Sequence, residues 1–239
     1  KQYLVEEPPE ENPNTFARTF YTRTEDPAPY RFVVPADGKY QLLVGSKVAD
    51  TVAGPRHSYS VRIAPEQPDF HLAAMAAERS RPTAVTVLQG GNQAFNVYAF
   101  RHDGFVGDIA LSVEGLPAGV TCQPQSLGGE LRQTQLVVSA APGAAAWTGE
   151  IEIKGTATIK GQKVVRTARA ASIVWPLLPQ LNIPALSRVD RGSMLAVRGP
   201  APFNVSGSVD KASVVQGGKA TVKLKLARLW TDFKGPVQV

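Results

Sequence analysis

The sequence predicts an all-β protein made of tandem β-sandwich modules with antiparallel sheets, the terminal modules being incomplete. Three observations lead there. Short segments alternate apolar and polar residues at spacings of about ten, broken by Gly and Pro, as in sandwiches. Sustained helical periodicity is missing. The chain also contains a partial copy of itself. Gln89-Gly90-Gly91 leads into Phe95, Val97, Arg101, Phe105 and Gly107, and Gln216-Gly217-Gly218 leads into Val222, Leu224, Arg228, Phe233 and Gly235. Gln-to-Arg spacing is twelve in both, with one extra residue before the second Phe.

Taken in order, the first elements are 30–35 and 39–44, which flank Ala36-Asp37-Gly38. Tyr30, Phe32 and Val34 alternate with Arg31 and Val33, as Tyr40, Leu42 and Val44 do with Lys39 and Gln41, which reads as a hairpin with Asp-Gly at its turn. A further strand over 58–63 is stopped by Ala64-Pro65-Glu66-Gln67-Pro68, the first expected domain boundary. Leu72 to Arg81 suggests one short helical turn ended by Pro82. Strands are then expected at 83–88, 94–100, 107–113, 133–139, 149–158 and 163–174. Pro176, Pro179 and Pro184 mark a stiff second boundary, since proline withholds ladder donors. Beyond it, 221–227 reads as a half-buried strand with Val222, Leu224 and Leu226 on one face and Thr221, Lys223 and Lys225 on the other. The expected division is therefore a partial sandwich over 1–65, a whole one over 66–175, a linker over 176–184, and the start of another over 185–239. The second copy stops at its middle, so the chain is expected to be a cut from a longer array.

With 239 residues, 43% apolar and 19% charged, the chain has enough material for ordinary buried cores and is not disordered in composition. No apolar stretch is long enough to span a bilayer, and Lys1 opens no signal-peptide pattern, so any export signal is expected upstream. The single Cys122 excludes an internal disulfide, and its surroundings offer no motif for a nucleophile. A net charge of +6 is a modest excess that fits a charged surface with no particular partner better than an anionic polymer.

Each Gly-Gly pair is expected to be a tight turn with positive φ. It is no phosphate loop, because Lys219 is followed by Ala220 and the place of the first glycine is held by Ser213.

Gly115-Leu-Pro-Ala-Gly-Val-Thr-Cys-Gln-Pro, preceded by Gly107-Asp-Ile-Ala-Leu-Ser-Val-Glu, resembles the Leu-Pro-x-Gly-Val turn and strand of bacterial Ig-like modules in large exported proteins. The resemblance covers about residues 69 to 175 and, through the internal copy, the module after it. Tyr30-Arg-Phe, Pro35-Ala-Asp-Gly38, Tyr40-Gln-Leu-Leu-Val44 and Tyr59-Ser-Val-Arg-Ile63 are similar to the closing strands of the bacterial pre-peptidase C-terminal domain. These resemblances imply sandwiches attached to secreted enzymes or surface proteins, acting in targeting, adhesion or substrate binding without catalysis.

The residues themselves offer no catalytic constellation. His57, His71 and His102 fall in separate segments without metal-ligand spacing, and His102-Asp103 lies in an Asp-Gly turn with no Gly-x-Ser-x-Gly elbow anywhere. Glu6-Glu7 and Glu10-Glu11 flank Pro8-Pro9 and read as a solvated connector. Expected catalytic, cofactor and metal residues are none, with the loop from Lys47 through Asp50 to Gly54 a candidate for calcium. Four residues are candidates for ligand or partner contact: Trp147 and Trp230, as aromatics near turns, and Arg166 and Arg169, which with Lys160 and Lys163 make a basic strand region. Trp147 is also expected to cap the sandwich end, and Trp230 to align with Asp103. Asn204-Val-Ser206 matches a glycosylation acceptor. The expected function is non-catalytic: spacing or anchoring within an exported, surface or periplasmic protein. The expected partners are neighbouring modules, other surface proteins or polysaccharide, without nucleic acid or membrane insertion. The alternatives are a carbohydrate-binding module and the accessory domains of a secreted protease or hydrolase.

Overall fold

The computed structural model describes residues 31–44, 61–77, 84–129, 131–175 and 186–237. The protein is all-β, and the described residues contain no helix. The strands are β1 (Asp69–Ala76), β2 (Ala84–Gln89), β3 (Asn92–His102), β4 (Ile109–Glu114), β5 (Val120–Cys122), β6 (Gln125–Leu127) and β7 (Gln133–Ala140). They continue with β8 (Trp147–Ile159), β9 (Gln162–Thr167), β10 (Arg169–Trp175), β11 (Leu186–Val189), β12 (Ser193–Pro200), β13 (Phe203–Val209) and β14 (Val222–Arg228).

One sheet runs β11-β10-β1-β3-β7-β5. A second runs β2-β12-β8-β4-β6, with β9 also on β8. Pairing is antiparallel except for β1 with β10 and β2 with β12. The inner faces meet in one core, where Phe70, Leu72, Phe95, Val97, Leu136 and Val138 from the first sheet pack with Val87, Ile109, Leu111, Ile151, Ile153, Leu195 and Val197 from the second. Period-2 alternation places these side chains inward, and their burial supplies the main driving force for the sandwich. Gly155 lies where the sheets approach closely, since a Cβ there would come within 2.5 Å of Leu72 Cδ1 and 2.8 Å of Ile109 Cγ2.

Several expectations change. Over its described part, 72–77, the expected helical turn is replaced by β1, which ends at Ala76. Phe70, Leu72 and Ala74 enter the main core, while Ala73 and Met75 pack behind the sheet with Tyr98 and Ala171. A strand buried on both faces shows no apolar–polar alternation. The single strand expected over 163–174 is two, because the chain crosses between sheets at the buried Ala168. Residues 31–44 bend at Ala36-Asp37-Gly38, and the Tyr40 hydroxyl donates to the Ala36 carbonyl at 2.6 Å, but the flanks form no ladder. A lone two-stranded hairpin without a third strand is marginal. Residues 58–60 of the strand expected over 58–63, the candidate calcium loop at 47–54 and the acidic connector lie outside the described residues, and residues 61–63 form no strand.

The boundary expected at 176–184 does not end the sandwich. β11 pairs with β10, and β12 fills the place between β2 and β8, where Leu195 and Val197 are fully buried. Without β12, β2 and β8 would present bare edges and the core would lose two aliphatic side chains. The sandwich thus continues to Pro200, and β13–β14 follows as a separate two-stranded sheet.

Candidate functional site

The candidate site is an open hairpin, β13–β14, whose construction is best understood from β1–β3. In β1–β3, Phe70 stands opposite Arg101 in antiparallel register. The rings of Phe70 and Phe105 stack at 5.7 Å between centroids and 27°. The Arg101 guanidinium lies 5.9 Å over the Phe105 ring, a cation–π distance. It also donates to four backbone carbonyls: Nη1 to Leu131 at 2.6 Å, and Nη2 to Gly128 at 2.9 Å, Leu127 at 3.3 Å and Gly107 at 3.4 Å. Burial lowers the Arg101 pKa from its ordinary value, opposed by the charge of Asp108. Arginine stays charged at neutral pH all the same. Its fork satisfies loop carbonyls that would otherwise be orphaned at the sandwich end.

The ring contacts recur around Arg228, and of the carbonyls that Arg101 binds only Gly107 has a counterpart, Gly235. Phe203 stands opposite Arg228, the rings of Phe203 and Phe233 stack at 5.5 Å and 21°, and the guanidinium lies 5.2 Å over Phe233. Arg228 Nη1 donates to the carbonyls of Phe233 at 3.0 Å and Gly235 at 3.1 Å. Gly107 and Gly235 each leave room for the preceding Phe ring, which a Cβ would meet at 2.7 and 3.3 Å. The Gly-Gly turns also match. Gly90 has φ 76° and Gly217 φ 80°, and Gly91 and Gly218 each donate at 2.8 Å to the carbonyl three residues back. Turn bonds from Phe105 N–H to the His102 carbonyl and from Phe233 N–H to the Trp230 carbonyl place Trp230 level with His102, one position from the expected Asp103.

What differs is the cover. On β3, Phe95, Val97 and Ala99 are 3%, 0% and 3% exposed; on β14, Val222, Leu224 and Leu226 are 57%, 53% and 42% exposed. β3 is paired on both sides, by β1 and β7, and β14, among the described residues, only by β13. The hairpin is nevertheless fastened to the sandwich. Asn204 Nδ2 donates to the Gly90 carbonyl at 2.7 Å, Ala201 N–H donates to the Gln89 carbonyl at 2.8 Å, and Leu229 packs on Gly90, where a Cβ would come within 3.3 Å of its Cδ1. The Asn204 amide is therefore engaged in the fold.

The four expected contact residues are scattered. Trp147 opens β8 with its ring over Gly149 and against the core, consistent with the end-capping expectation. Trp230 is 45% exposed at the hairpin end. Arg166 on β9 binds Asp69 with two bonds, and Arg169 is exposed at the start of β10. Lys160 and Gly161 form the tight β8–β9 turn, both at positive φ. Cys122 is half-buried, and burial raises its thiol pKa.

One pair escaped the sequence reading. His71 Nδ1 and His102 Nε2 lie 2.8 Å apart, brought together by the β1–β3 register. Burial chiefly, and then the charge of His71, lowers the His102 pKa, against the pull of Asp103 and Asp69. Strand pairing across 31 positions has no signature in residue spacing, although two His near the ends of adjacent antiparallel strands would have given it once β1 was recognised. His57 lies outside the described residues, and no group of three or more His, Cys, Asp or Glu suited to a metal occurs among those described. No helix among them is long and apolar enough to cross a membrane.

Comparisons with protein-family models and with curated proteins give no match.

Proposed function

We propose that the chain is a non-catalytic β-sandwich region of a large exported or cell-surface bacterial protein, in which tandem copies of one module space, orient and anchor other parts. The observation that carries this reading is the recurrence, around Arg228, of the Phe–Arg–Phe anchor built around Arg101, in the same register and with the same turn. Modules that recur and grip their neighbours through short junctions transmit position along a chain. The junction fits that role, because Asn204, Ala201 and Leu229 hold the hairpin on the Gln89-Gly90 turn through both hydrogen bonding and packing. The inward packing of Trp147 supports a structural role for it over sugar stacking. The resemblance to Ig-like and pre-peptidase C-terminal modules supports placement outside the cytoplasm.

A distance measurement tests the reading. Spin labels at Ser126→Cys and Ser208→Cys, in a Cys122→Ser background, should give one narrow distance distribution, broadened by Asn204→Ala. A broad distribution in the parent would contradict a spacer.

A further inference from the structure

We propose that His71 and His102 together hold one divalent transition-metal ion of the zinc or copper class at the end of the β1–β3 ladder, with water filling the remaining coordination positions. The inference stands apart from the spacer reading.

Strand register makes the pair. Phe100 stands opposite His71 and Asp69 opposite His102, so the two rings lie diagonally on one face of the sheet. His71 Nδ1 and His102 Nε2 are 2.8 Å apart, with ring centroids at 4.7 Å and planes at 68°, and both residues are exposed. Neutral imidazole is a preferred ligand of Zn²⁺ and Cu²⁺. Two Zn–N bonds of about 2.0–2.1 Å at a tetrahedral angle separate the nitrogens by about 3.3 Å, so the rings have to part by roughly half an ångström. Side-chain rotation at an open strand end supplies that. The proton in the present bond does not oppose it, because on the donating ring it passes through water to the other nitrogen and frees both facing lone pairs.

The surroundings suit a cation. Burial, with the charge of His71 behind it, lowers the His102 pKa against the pull of Asp103 and Asp69, so this ring is neutral and free to ligate at neutral pH. Asp69 on β1 is held by Arg166 of β9, and Asp103, in the turn after β3, accepts the Gln67 N–H on Oδ2 at 2.9 Å. Neither carboxylate is counted as a ligand, but two of them against one guanidinium leave the corner negative.

The hairpin frame does not call for imidazoles. In the second hairpin Asn204 follows Phe203 as His71 follows Phe70, and Leu229 follows Arg228 as His102 follows Arg101. There the amide and the aliphatic side chain fasten the hairpin to the Gly90 turn. The second hairpin is thus an internal control with the same frame and no pair of ligands at these places. An ion on His71 and His102 would tie the first residues of β1 to the last of β3, beside the turn that holds Gln67, where the chain enters the sandwich.

The test titrates the untagged, isotope-labelled 239-residue chain with Zn²⁺, and with Mg²⁺ as control, in a Cys122→Ser/His57→Gln background that leaves these two histidines as its only imidazoles. Near neutral pH both ring Cε1–H signals should move together and saturate at one Zn²⁺ per chain, with amide shifts at the ends of β1 and β3 and none in β13–β14. His71→Gln and His102→Gln should each weaken Zn²⁺ at least about tenfold, since even a partner behind a ligand is worth that much. The core amides of Phe95 and Leu136 report that each variant remains folded. Three outcomes would overturn the proposal: no saturable movement of the two rings, an equal response to Mg²⁺, or Zn²⁺ affinity unchanged in either Gln variant.

Discussion

Arg166 on β9 clamps Asp69 on β1 across the two sheets, with Nη2 2.8 Å from Oδ2 and Nε 3.1 Å from Oδ1. Such a two-bond fork fixes orientation as well as attraction. The clamp holds the rim where the chain leaves β9 to cross into the first sheet. Its side chains are 41% and 29% exposed, so solvent screens it, and Arg166→Ala should cost no more than about 1 kcal/mol in urea unfolding.

The same clamp sets an acid limb. The hydrogen bond from Arg166 is the largest influence on Asp69 and lowers its pKa from 3.8, with burial opposing and the Phe70 N–H and the charges of Arg166 and His71 assisting. A carboxyl depressed in the fold contributes stability above its unfolded value and loses it as pH falls through the folded one. Stability should therefore drop as pH descends below 3.8, and Asp69→Asn should flatten that part of the curve, read from urea midpoints.

His102 acts at a higher pH. Its pKa is lowered from 6.5, chiefly by burial, so the fold favours the neutral ring. Its contribution is present above 6.5 and declines as pH falls below that value toward the lowered folded one, since the unfolded chain binds the proton first. The His102→Gln variant should lose this slope, and ring proton shifts should report a His102 midpoint below 6.5.

Arg101→Ala should destabilise the sandwich by about 3 kcal/mol, because the carbonyls of Gly107, Leu127, Gly128 and Leu131 lose their donor at a part-buried site. Arg101→Lys should recover little, lacking the fork. Arg228→Ala, at the exposed copy, should leave the main unfolding transition within about 0.5 kcal/mol. Thermal and urea unfolding of the three variants checks the contrast.

Leu195→Ala tests where the sandwich ends. With β12 inside the sheet, removing this fully buried side chain should cost about 3 kcal/mol in the main transition. If residues beyond 185 formed a unit of their own, that transition would not move.

Much of the architecture was legible in the residues. β7, with one wet face, and β14 announce themselves by alternation, although β14 is exposed on both faces and not half-buried as its pattern predicts, and the Gly90 and Gly217 turns by a glycine pair that tolerates positive φ. β1 was hidden because Ala73 and Met75 are buried on the face that alternation assigns to solvent. β12 was hidden behind a proline cluster that reads as a boundary, although the chain returns after it to fill a gap between β2 and β8. The His71–His102 contact and the reach of Arg101 to Gly128 and Leu131 arise from strand register and loop packing, which spacing along the chain does not encode. The paired anchor was legible as the repeated Gly-Gly, Arg and Phe, but its openness on β14 depends on which neighbours are present.

Backbone amide exchange, strand by strand, tests the central claim most directly. If β13–β14 is the β1–β3 anchor without its cover, β3 should be protected at successive residues, being paired on both sides, while β14 should alternate between protected amides facing β13 and fast ones on the bare edge. Uniformly fast exchange along β14 would show that the Phe203–Arg228–Phe233 anchor does not hold the hairpin, and uniformly slow exchange that its edge is already filled; either result would contradict the account.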